Sequence, residues 1–143
     1  IKQVVIFFPI DENLFRLSLY SFRKFNLHKD NIKYYFVINQ KFQNMIHLSG
    51  PDLIFVNYKK NKIQFCDLDQ KNNLIQNDND IIIDLNIDFS FAPSKFIAYL
   101  KSNFKIGFKT KFSDYFYNLQ LKVNRKGTVE NSYEEIQQIL TSL

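Results

Sequence analysis

Glycine, proline, cysteine and histidine are scarce in this chain, and each scarcity removes a class of protein. Three glycines, at positions 50, 107 and 127, and three prolines in 143 residues exclude collagen-like and linker-like sequences. No glycine-rich loop follows the first apolar run, so neither a dinucleotide fingerprint nor a P-loop is present. A pyrophosphate needs close backbone approach, which the side chains of Ile10 and Glu12 block. The single cysteine, Cys66, excludes an internal disulfide scaffold. His28 and His47 are the only histidines, and no H-x-x-x-H or C-x-x-C spacing exists, so no metal site and no cofactor are expected. His28 reads as a surface or capping residue and His47 as a packing residue. No G-x-S-x-G elbow is present.

Long hydrophobic runs are also missing. Val4–Ile10 and Ile81–Ile83 with Leu85 fall far short of the ~20 residues that span a membrane. The start Ile1-Lys2-Gln3 runs straight into a strand-like segment without a leader-like pattern, so the expected location is cytoplasmic. With no initiator Met, the chain reads as processed, trimmed or part of something longer.

What is plentiful is aromatic. Phe 16 and Tyr 8, with no Trp, make 17% of the chain, a large core payload. With 45% hydrophobic and 23% charged residues the composition is that of a globular protein, and the length predicts one domain over 1–143. The protein is basic, with net charge +5 and pI near 9.2, which favours anionic partners by long-range attraction.

The order of residues gives the fold class. Lys2–Pro9, Asn31–Asn39, Asp52–Asn57 and Asp80–Asn86 are β-branched and aromatic runs of the kind buried on both sheet faces. Phe104–Phe108 is a further strand, and Gly107 inside it suggests close backbone approach or a bulge. Lys62–Asp67 and Phe116–Val123 are shorter candidates, the latter either a strand or an extended arm. Between them, helices are predicted after Asp11 or Asn13 as cap, over Gln40–Leu48, from Ala92-Pro93-Ser94 to Lys101, and over Glu130–Leu143. In the first, Leu14, Leu17, Ser21 and Phe25 form one line with Phe15, Leu19 and Phe22 beside it, and Arg23 and Lys24 sit at the end that favours cations. Leu68–Asn79 is polar and reads as a loop with one turn of helix.

Alternating buried strands and helices predict an α/β fold: an open, mostly parallel, Rossmann-like sheet of about five or six strands flanked by helices. Ligands bind such sheets at the carboxyl ends of the strands. That rim carries Pro9–Asn13, Asn39–Lys41, Asn57–Lys60, Asn86–Ser90 and Gly107–Lys111.

Asp11 stands on the rim, where a carboxylate either caps the helix or serves as a base on a bound hydroxyl. Asp84, inside the most apolar strand, must be paired, and it reads as a structural group bonded to backbone or a helix cap. Lys105, Lys109, Lys111, Lys122, Arg125 and Lys126 form a basic tract, either a solvated face or a set of phosphate or carboxylate contacts. Interleaved aromatics there also suit single-stranded nucleic acid, but no RNA-binding aromatic motif is present and nucleic acid is not the expected partner.

The succession of a buried strand, a turn with Asp11, a helix ending in Phe22-Arg23-Lys24, the strand Asp80–Leu85 and then Lys105-Ile106-Gly107-Phe108 resembles a known family. It is similar to the N-terminal, acceptor-side half of the family 9 glycosyltransferases, the ADP-heptose:lipopolysaccharide heptosyltransferases. The match runs from Val4 to about Val123. The resemblance implies one half of a two-domain GT-B architecture and a place in lipopolysaccharide biosynthesis. Counting back from Arg23-Lys24 without a gap sets Asp11 on the family's catalytic Asp. Asn13, Lys109 and Lys111 are then the candidate substrate-binding residues, the lysines toward acceptor phosphates.

The implied partners are a sugar or sugar-phosphate acceptor and a separate donor-binding domain or chain, without which this chain is expected to be inactive. Peripheral membrane contact is left open. Two positions depart from the family pattern: Ile10 replaces a Gly before the Asp, and Leu17 a Pro in the first helix. They keep a second reading open, a degenerate non-catalytic α/β binding or assembly module.

Overall fold

A computed structural model describes residues 2–23, 25, 31–123 and 129–143. Seven strands form one sheet: β1 (Gln3–Phe7), β2 (Lys33–Asn39), β3 (Asp52–Lys59), β4 (Lys62–Phe65), β5 (Asn79–Asp84), β6 (Ser102–Phe108) and β7 (Leu119–Leu121). The order is β4-β3-β2-β1-β5-β6-β7. Every pairing is parallel except β3 with β4, a hairpin closed by the turn at Lys60. Leaving β4 aside, the parallel strands follow the doubly wound order in which the chain starts at the centre and builds outward on each side in turn.

Both shorter candidate strands join the sheet, which is why it has seven strands rather than five or six. Lys62–Phe65 has a hairpin partner, and Leu119–Leu121 extends the far edge in register with Ile106–Phe108.

Strand alternation splits the apolar residues between two layers. One face carries Val4, Ile6, Phe8, Phe36, Ile38, Ile81, Ile83 and Ile106. It is covered by α1 (Glu12–Phe22) through Phe15 and Phe22, and by α4 (Val129–Thr141) through Tyr133, Ile136 and Leu140. The other carries Val5, Phe7, Val37, Ile54, Val56 and Ile82. There α2 (Leu68–Gln76) contributes Leu74 and α3 (Phe91–Tyr99) contributes Ile97. Phenylalanine fills the first layer: the Phe8 ring lies 4.7 Å from Phe36, 5.7 Å from Phe22 and 5.9 Å from Phe15.

Local differences from the sequence pattern have physical causes. The buried line of α1 is Phe15, Ser18 and Phe22, one residue round from the line through Leu14 and Leu17. Gln40–Met45 is a 3-10 helix started by Asn39, whose side chain accepts from the Lys41 amide at 3.1 Å. The Leu68–Asn79 stretch contains a true nine-residue helix. Asp67 caps it by accepting from the Asp69 and Gln70 amides, and only Leu74 is buried, so its apolar periodicity is nearly invisible. Lys24, His28, Arg125, Lys126 and Gly127, singled out above, lie outside the described residues.

Candidate functional site

The chain leaves β1 toward β2 on one side of the sheet, while β5 continues toward β6 on the other. In open sheets of this kind ligands bind where such a divergence falls, here above the carboxyl ends of β1 and β5. Two loops meet there. The Asn86 side-chain oxygen, just past β5, accepts from the Ile10 amide at 3.0 Å, just past β1. The Leu85 amide donates to Phe7 O at 2.9 Å, and Phe8 N to Val37 O at 3.0 Å, so all three central strands continue one step toward the rim.

Asp11 follows immediately. Its extended backbone (φ −70°, ψ 134°) stops the strand-side chain, and its Oδ2 accepts from the Leu14 amide at 3.0 Å as the N-cap of α1. The residue is exposed. A carboxylate with two oxygens can hold this cap and still present acceptor capacity to solvent. Its charge also reaches the interior. The buried phenol of Tyr133, which donates to Leu85 O at 3.1 Å, is held above its ordinary value mainly by burial, then by the Asp84 and Asp11 charges.

Under this rim lies a buried polar cluster. Asp84 ends β5 on the α2–α3 face and is only 2% exposed. Its Oδ1 accepts from the Asn86 amide at 2.9 Å and from Asn86 Nδ2 at 2.8 Å, and its Oδ2 accepts from the Tyr117 hydroxyl. The Tyr117 hydroxyl also meets Ser94 Oγ at 2.8 Å. Burial pushes the Asp84 carboxyl up, and the Tyr117 and Asn86 hydrogen bonds oppose that shift. Burial and the Asp84 charge raise the phenols of both Tyr117 and Tyr58. The expectation of a backbone-bonded structural group holds for Asp84, with a tyrosine rather than a helix cap as its other partner. Asp84 therefore fixes Asn86, and Asn86 fixes the loop that carries Asp11.

Gly107 makes this cluster possible. A Cβ built there would lie 2.6 Å from the Tyr117 ring, well inside contact distance. The close approach anticipated inside that strand is the packing of this ring.

A cavity of about 530 Å³ opens at the carboxyl ends of β5 and β6. Ile87, Asp88 and Phe89 form one side, and Lys109, Thr110 and Lys122 the other. Parallel pairing of Phe108 with Leu121 brings Lys109 and Lys122 together although 13 residues separate them. Lys109 Nζ lies 3.1 Å from Asp114, and the hydrogen bond from Gln120, then the Lys109 ammonium, hold the Asp114 carboxyl below the usual carboxylate range. Of the predicted site residues, only Lys109 lines this cavity. Asp11 and Asn13 are exposed at the start of α1, and Lys111 is exposed on the loop, its Nζ 5.7 Å from the Phe112 ring centroid. Lys122 belonged to the basic tract but not to the predicted site; only the β6–β7 register singles it out.

His47 is exposed, not packed, because the 3-10 helix ends at Met45 and the extended backbone after it turns the imidazole outward. Among the described residues no group of three or more His, Cys, Asp or Glu side chains could hold a metal ion. No helix among them is long and apolar enough to cross a membrane.

This doubly wound, mostly parallel sheet with helices on both faces resembles one half of a GT-B fold. Two solved structures share it. The glycosyl transferase family 9 protein of Veillonella parvula superposes with a TM-score of 0.68 at 16% identity, over 97% of this chain and 41% of that one. The Escherichia coli heptosyltransferase WaaC, solved with ADP, gives a TM-score of 0.63 at 14% identity, over 96% of this chain and 46% of that one. At these identities the likeness is one of fold. The chain spans less than half the length of each. No protein-family model and no curated protein matches it.

Proposed function

We propose that this chain is the acceptor-side, N-terminal half of a heptosyltransferase-like glycosyltransferase, a single Rossmann-like domain acting in the cytoplasm. The observation that carries the reading is the exposed Asp11 carboxylate beside the switch point of a fold shared with two such transferases. Asp11 takes the proton of an acceptor hydroxyl. The freed oxygen attacks the anomeric carbon of a nucleotide sugar held by a second half, and the nucleotide leaves with the bonding electron pair. Lys109 and Lys122 offer two cations to a phosphate or carboxylate of the acceptor, with Lys111 and Asn13 further out along the rim. The acceptor is a sugar or sugar phosphate, in keeping with a lipopolysaccharide pathway.

The test is transfer by the polypeptide paired with its donor-binding half. Asp11→Asn keeps the side-chain oxygen that caps α1 but removes the base. Loss of turnover by two to four orders of magnitude, with the helix intact by circular dichroism, is the expected result. Undiminished turnover would remove Asp11 from the mechanism.

Ile10 favours a second reading, a degenerate binding or assembly module. Its apolar side chain stands where the family pattern has Gly, next to the proposed base. Sugar transfer in the paired assay excludes that reading.

A further inference from the structure

Away from the rim, a groove of about 430 Å³ runs between α1 and the segment that leads from the 3-10 helix to β3. Among the described residues it shares no lining residue with the cavity at Lys109. On the helix side Arg16, Tyr20 and Arg23 fall on one stripe, at i, i+4 and i+7, and are all exposed. The rise of an α-helix sets the two arginines about 10 Å apart along the groove. His47 faces them from the opposite wall. The floor is Leu19, Met45 and Leu48, which are only partly buried and rest on the core.

The charges here are poorly neutralised. Arg16 has one ion-pair partner among the described residues, Glu12, at 3.9 Å with both side chains more than half exposed. Screening makes such a contact weak. Arg23 lies 5.6 Å from the Tyr20 ring centroid, a contact that orients the guanidinium without neutralising it. Among the described residues no carboxylate lines the groove. Guanidinium groups are donors only, so a ligand that engages them brings acceptors, and negative charge strengthens the contact. An inorganic ion would satisfy the arginines but leave the apolar floor wet. The volume lies in the range of small-molecule sites.

We propose that this groove binds a phosphate monoester carried on an apolar body, the phosphate against Arg16, Arg23 and His47 and the apolar part on Leu19, Met45 and Leu48. The inference is independent of Asp11 and of glycosyl transfer. A monoester carries about two negative charges near neutral pH, which matches two guanidiniums. Lipid headgroups and soluble metabolites both offer that chemistry.

The probe is hexyl phosphate titrated into the 143-residue chain, followed by calorimetry and by amide NMR. One saturable site is expected, with shifts concentrated at Arg16–Arg23 and Met45–Leu48. Arg16→Gln and Arg23→Gln, one on α1 and the other at its C-cap and both exposed, should each weaken binding by about tenfold, the worth of a charge-assisted hydrogen bond. Inorganic phosphate should bind about tenfold more weakly or worse, for want of the apolar contact. Vesicles of phosphatidylcholine with phosphatidic acid distinguish the sources. Sedimentation that hexyl phosphate competes away assigns the ligand to a lipid headgroup. Hexyl phosphate binding without sedimentation assigns it to a free monoester. Absence of saturable binding, indifference to both arginine substitutions, or an equal loss with Lys109→Ala would overturn the proposal.

Discussion

Gly107 and Tyr117 show how one small residue governs the site. The ring lies where a Cβ at position 107 would be, and its hydroxyl is one of the groups holding Asp84. Gly107→Ala therefore forces either the β6 backbone or the Tyr117 ring to move. Because the ring is pinned at its far end by Asp84 and Ser94, neither shift is cheap. A loss of about 1–3 kcal/mol is expected, the usual cost of overpacking, measured as a lower urea midpoint with unchanged slope. Full native stability in that variant would mean the Tyr117 contact is not held as described. The glycine stood out in the sequence as a point of close approach; the identity of the ring did not, since 117 is ten residues away in the loop before β7.

At the scale of elements, Asp11 has a duty that any catalytic role must share. It caps α1, and an Ala at that position leaves the Leu14 amide without its partner. Asp11→Ala should cost about 0.5–2 kcal/mol, while Asp11→Asn should cost little, because amide and carboxylate oxygens both accept that bond. Thermal or urea unfolding of the two variants checks this. Equal losses would show that charge, rather than the capping bond, matters to the helix. The same pair of variants separates stability from chemistry in the transfer assay. Helix α2 teaches the complementary lesson. With a single buried leucine, its existence depends on the Asp67 cap and on its place beside β4 and β5, and an amphipathic pattern has almost nothing to register.

The whole molecule sets the pH behaviour. Tyr58, Tyr117 and Tyr133 are held above the ordinary phenol value of about 10, first by burial and next by the Asp84 charge. A group whose folded value is raised contributes stability that is complete below its unfolded value and is lost as pH climbs above it. Stability should therefore fall above about pH 10. In a spectrophotometric titration Tyr58, Tyr117 and Tyr133 should ionise only as the chain unfolds. Ionisation of Tyr58, Tyr117 and Tyr133 near pH 10 with the fold retained would contradict this arrangement.

Sequence alone determined the class of fold, because apolar runs such as Asp80–Asn86 have no stable home except the centre of a parallel sheet, and each return crossover must be long enough to hold a helix. It also located Asp11 at a strand-to-helix corner, since capping is local chemistry. The order of strands, the meeting of Lys109 with Lys122, the buried Asp84–Tyr117–Ser94 cluster and the outward turn of His47 were decided only in three dimensions. Each depends on which strands become neighbours and on which side of the sheet a crossover returns, and no local pattern carries that information.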